Sequence, residues 1–99
     1  MSYQENMREH QRICILRMLN QVPDYSMNES MIADELARWA LSCSRDQLKA
    51  LLAWLVEQGL IACEPIGHSQ IARITLRGQD VANGLAMVPG VKRPSAVRG

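Results

Sequence analysis

The sequence contains no phenylalanine, and aromatic residues of all kinds make up only 4% of its 99 positions. Proteins that grip single strands by stacking need several aromatics along one groove, so that class is set aside. Trp39 and Trp54 are read instead as core or dimer-interface residues. Six methionines are available to fill irregular gaps in a core without Phe. Cysteine is scarce as well. Cys14, Cys43 and Cys63 are odd in number and widely spaced, with no CxxC pair and no Cys/His ligand spacing. That argues against a zinc site or a disulfide frame and for buried thiols in a cytoplasmic protein. No apolar run approaches the ~20 residues of a membrane span. The start, MSYQENMREHQR, is too polar for a secretory leader. Also missing are a Ser/His/Asp order, an HExxH, a carboxylate pair and a Gly-rich phosphate loop, so neither an enzyme nor a cofactor is expected.

Strong charge is absent too. The net charge is +1, but it is unevenly spread. Residues 1–43 carry four Lys/Arg and six Asp/Glu, a balance of −2, whereas residues 44–99 carry seven and four, a balance of +3. The second half is therefore the candidate basic face.

What the sequence does contain is helical punctuation. Residues 44–60, SRDQLKALLAWLVEQGL, read as one amphipathic helix. Ser44 and Gln47 form a capping-box pattern, Leu48, Leu51, Leu52 and Leu55 form an apolar stripe, and Gly59 marks the stop. Ahead of it, residues 5–21 read as a helix with Ile13, Ile15, Leu16 and Leu19 on one face, closed by Pro23. A second helix starts either from a Ser26–Glu29 capping box or from Asn28 as N-cap, and runs to about Leu41. Ser42-Cys43-Ser44 is then a very short connection, which favours a steep helix-turn-helix crossing. Residues 60–64 and 71–76 read as the arms of a hairpin with its tip near 67–70, and the spacing predicts a short helix ending at Gly84. Residues 85–99 are expected to form a flexible basic tail, broken by Pro89-Gly90 and Pro94 and following a domain over 1–84.

The fold class that follows is mainly α with a small β-hairpin: a three-helix core, a two-stranded wing and a short C-terminal helix. Gly59-Leu60-Ile61 before the hairpin and Ile74-Thr75-Leu76-Arg77-Gly78 after it resemble the winged-helix domains of ArsR- and MarR-type regulators. NES at 28–30, SRD at 44–46, WLVEQGL at 54–60 and VPGVKRP at 88–94 resemble a family of small winged-helix proteins of Mu-type bacteriophages and prophages. The resemblance implies a winged helix-turn-helix protein working in the cytoplasm of a bacterial host.

The expected function is transcriptional regulation by a homodimer on double-stranded DNA, with helix 44–58 in the major groove and wing 66–71 on the backbone. With the leucines inward, Arg45 could read guanine, Gln47 adenine, and Lys49 a phosphate, with Ser44 at the helix start. Asp46 lies among them and repels phosphate. His68, Ser69 and Gln70 stand at the wing tip with Arg73 beyond, and Lys92 and Arg93 could add phosphate contacts. His68 has no second ligand at a metal-binding spacing. The alternative is a protein-interaction module that assists phage DNA packaging or assembly by binding another phage protein. Near-neutral charge, Asp46 and the proline-containing tail favour it.

Overall fold

The computed structural model of the chain describes residues 2–94. Its elements run α1 (Tyr3–Leu19), β1 (Ser26–Asn28), α2 (Glu29–Arg38), α3 (Arg45–Glu57), β2 (Ile61–Ile66), β3 (Ser69–Ile74) and α4 (Leu76–Ala82). Four helices thus accompany one antiparallel sheet, ordered β1-β3-β2.

The sheet has three strands, not the two read from the hairpin alone. Ser26 pairs with Arg73, Met27 with Ala72 and Asn28 with Ile71. A lone hairpin is marginal in water, and the third strand widens it and buries Met27 against the helices. Pro23–Tyr25 delivers the chain into β1 through a single tight turn in which Asp24 and Tyr25 both take positive φ. Because Ser26 belongs to β1, it does not cap α2. Asn28 does so, accepting the Met31 N–H at 2.8 Å.

The second helix is also shorter than expected. It ends at Arg38, and the connection spans 39–44 rather than 42–44. The Leu41 N–H reaches back to the Leu36 carbonyl and the Ala40 N–H to that of Ala37, the two bonds of a Schellman stop. Ala40 fills the left-handed position at φ 60°. Gly59 and Gly84 fill the same position after α3 and α4. With alanine in place of glycine, the stop after α2 carried no compositional signal.

One core joins all the layers. Ile15, Leu16 and Leu19 of α1 meet Ile32 and Leu36 of α2, Leu48, Leu52 and Leu55 of α3, and Ala72 of β3. Leu60, just after Gly59, is fully buried and its carbonyl accepts the Thr75 N–H. Thr75 caps α4 by accepting the Gly78 N–H at 3.0 Å, so β3 ends at Ile74. Leu76, the last residue of the hairpin arm read over 71–76, is instead 81% exposed on the first turn of α4.

Residues 85–92 also depart from the expected free tail. Val88 is buried and Val91 packs partly against the core. The Arg12 guanidinium donates to the Gly90 carbonyl at 2.8 Å, and the Lys92 N–H approaches the Glu9 carbonyl at 3.3 Å. The segment is a strap over α1, held by hydrophobic anchors at 88 and 91 that lack helical or strand periodicity. Residues 95–99, including Arg98 of the expected basic tail, lie outside the described residues.

Candidate functional site

The start of α3 has the expected reciprocal cap. The Gln47 N–H donates to Ser44 Oγ at 3.1 Å, and the Ser44 N–H donates to Gln47 Oε1 at 2.9 Å. Both side chains are therefore occupied locally, although the Gln47 amide nitrogen still has donors to offer. With Leu48, Leu51, Leu52 and Leu55 buried, Arg45, Asp46, Lys49, Ala50 and Ala53 form the exposed face.

The organising residue of that face is Glu29. It is the first residue of α2, with 0% of its surface exposed. Extending the β1–β3 register by one position sets it opposite Gln70, whose Nε2 donates to Glu29 Oε1 at 2.9 Å. Arg45 Nη1 donates to Oε2 at 2.9 Å, and Lys49 Nζ lies 3.2 Å from the same oxygen. Burial by itself raises the pKa of this carboxyl. The hydrogen bonds from Gln70, Arg45 and Lys49, with the Lys49 charge, outweigh that and hold it below the ordinary glutamate value. One buried carboxylate thus ties the first turns of α3 to the start of β3, one pair in from the hairpin turn.

The ten residues singled out from the sequence divide accordingly. Ser44, Arg45, Gln47, Lys49 and Gln70 come together at the start of α3. His68 is exposed in the turn between β2 and β3. Ser69 and Gln70 are strand residues paired with Ile66 and Pro65, not tip residues. Ser69 Oγ is buried with no hydrogen-bond partner among the described residues. Arg73 stands apart. Ala72 and Ile74 beside it are buried, so strand alternation turns Arg73 to the other sheet face, where it donates to the Asp24 carbonyl at 2.7 Å. Lys92 and Arg93 are exposed at the end of the strap, beside α1.

Sequence reasoning missed a second polar centre as well as Glu29. Arg12 is 7% exposed and lies over the Trp54 ring, 4.0 Å from its centroid. Burial lowers its pKa, with Glu5 pulling the other way. Gly90 closes the stack; a Cβ there would sit 2.8 Å from the Trp54 ring. The one available signal was Gly90 itself, a φ of 98° that a free tail would not require. Trp54 is accordingly half-buried, whereas Trp39 is 65% exposed.

Two open grooves flank α1. One, of about 500 Å³, runs between α1 and α3 past Tyr3, Met7, Gln47, Ala50 and Trp54. The other, of about 460 Å³, lies between α1 and the end of α2, with Cys14, Arg17, Glu35, Trp39 and Leu41 on its walls. The three cysteines are free and half-buried rather than fully buried, and burial pushes each thiol pKa up, away from reactivity. Among the described residues there is no cluster of His, Cys, Asp or Glu that could hold a metal. No helix among them is long and apolar enough to cross a membrane.

No family model matches the chain. It is 41% identical over 86 residues to the uncharacterized protein gp26 of Escherichia phage Mu, a match covering 87% of this chain and 88% of that protein. It is also 38% identical over 78 residues to an uncharacterized protein of Haemophilus influenzae (strain ATCC 51907 / DSM 11121 / KW20 / Rd), covering 78% and 76% of the two chains. Similarity of this extent makes the chain a member of the family of phage Mu gp26.

Proposed function

We propose that this is a winged helix-turn-helix protein that regulates transcription by binding double-stranded DNA. In this reading α3 enters the major groove and the β2–β3 hairpin is the wing. The observation that carries it is the gathering of Arg45, Lys49 and Gln70 from two elements onto one side of the α3 start. A helix is narrow enough for the major groove, and the first turns of a recognition helix meet the base edges. Arg45 keeps donors beyond the one given to Glu29 and suits a guanine edge; Lys49 suits a phosphate. Ser44 and the free amide nitrogen of Gln47 flank them. His68 at the wing turn reaches the sugar-phosphate backbone, and Lys92 and Arg93 add charge at the strap. Arg73 supports the sheet instead.

A homodimer suits the palindromic sites that such proteins read. The exposed Trp39, beside a groove that carries Arg17 and Glu35, is the surface on which this reading seats the second copy. A second reading, a module that binds another phage protein, draws support from Asp46 on the α3 face and from the neutralising charge of Glu29.

Fluorescence anisotropy with labelled duplexes tests the DNA reading. The wild-type chain should bind at low salt and weaken steeply as salt rises. Arg45→Ala with Lys49→Ala should cost about 1–3 kcal/mol of binding. A wild type silent towards duplex at low salt would sink the proposal, and a specific complex with a neighbouring phage gene product would then favour the second reading.

A further inference from the structure

We infer that Glu29 is a specificity-determining positioning residue: it holds Arg45 and Lys49 in one orientation at the start of α3 and exchanges non-specific attraction for sequence discrimination. The inference rests on the DNA-binding reading above. Nothing in the needs of α2 requires a buried acid. Asn28 already caps that helix, and an exposed acid would serve its dipole equally well. Glu29 instead turns inward and is fully covered, an arrangement that is unfavourable for a carboxylate unless cations and donors surround it. They do: Arg45, Lys49 and Gln70 all end on its two oxygens.

The two cations are not themselves buried. The side chain of Arg45 is 49% exposed and that of Lys49 is 47% exposed. Each spends part of its hydrogen-bonding capacity on Glu29 and keeps the rest facing solvent. Arginine has five donors in a rigid fork and lysine three. One anchored N–H fixes the direction of the others, and a long side chain ordered before binding has less rotamer freedom to lose on contact. Gln70 ties the same carboxylate to the hairpin, so the anchor also sets the helix start against the wing. The electrostatic consequence is opposite in sign. Two cations share one anion, so Arg45, Lys49 and Glu29 together carry +1 where the two cations alone would carry +2, and the exposed Asp46 beside them lowers both sums equally.

Glu29→Gln separates these effects. It frees both cations, so attraction to any duplex should rise while the fixed geometry is lost. DNA selection on the wild-type chain supplies a preferred duplex, and anisotropy then compares that duplex with a scrambled one across a salt series. For Glu29→Gln the salt slope should steepen by about 0.9, so a fourfold rise in salt costs the variant about 3.5-fold more affinity than it costs wild type. Binding to the scrambled duplex at low salt should tighten, and the preference for the selected duplex should fall about tenfold. Glu29→Asp keeps the charge but is one methylene too short, so it should lose preference with the salt slope unchanged. A merely structural role would weaken both duplexes together and would not steepen the slope.

A Glu29→Gln chain that matches wild type in slope and preference overturns the inference and leaves the DNA reading standing. So does a wild type that binds all duplexes alike. A wild type that binds no duplex overturns the DNA reading itself. Should Glu29→Gln fail to melt cooperatively, Glu29→Asp decides: lost preference supports the inference, and retained preference overturns it.

Discussion

Ala40 holds a backbone conformation that glycine usually takes. Its φ of 60° completes the stop after α2, at a steric cost that Gly59 avoids after α3. Ala40→Gly should therefore raise stability by about 0.5–1 kcal/mol, read from the urea midpoint, because relief of strain exceeds the added freedom of the unfolded chain. Glu29 gives the pH dependence. Its folded pKa lies below the unfolded value, so its contribution is present above the ordinary glutamate range near 4.5 and is lost as pH falls through the folded value. Stability should fall below about pH 4.5, and Glu29→Gln should flatten that acid limb in pH-stepped urea titrations. As a residue type, Glu29 was legible only as an acid near a helix start. Its burial depends on Gln70, a partner 41 positions away.

At the scale of elements, the helices with explicit caps were the most legible. The Ser44 box, the leucine stripe and Gly59 specify α3 within one local window, and the structure keeps all three. The elements that sequence reading missed are those made by distant contacts. β1 is three residues long and exists because β3 offers it an edge. The strap over 85–92 exists because Val88 finds the core and Gly90 finds Arg12 and Trp54. Its test is Gly90→Ala. The new Cβ would meet the Trp54 ring at 2.8 Å, on a backbone already at positive φ. The substitution should cost about 1–3 kcal/mol and speed hydrogen exchange at the Lys92 amide more than in α2. Equal exchange in both chains would show that the strap does not depend on this contact.

At the scale of the whole molecule, the candidate site is an arrangement rather than a motif. The chain extends 39 × 29 × 26 Å, and the α3 face, the hairpin turn and the strap end lie on different elements. The proposed dimer is testable at this scale. Native mass measurement should give twice the 11.1 kDa of one chain, and Trp39→Ser, which removes the exposed indole beside Arg17 and Glu35, should return the single-chain mass. A single-chain mass for the wild type would remove the dimer from the proposal.

The sequence by itself determined what acts over a turn or two: the helix start at Ser44, the apolar stripe of α3, the alternation of β3 and the stop at Gly59. Caps, periodicity and left-handed glycines work between residues two to five apart, so their signals are contiguous in the chain. Only the tertiary structure decided that Arg45, Lys49 and Gln70 share one buried carboxylate, that Arg73 reaches the Asp24 carbonyl, and that residue 90 closes over residue 12. Those contacts join positions 16 to 78 apart. They are selected by how whole elements pack, because a buried charge or a bare backbone edge must find its partner wherever the fold brings one within reach.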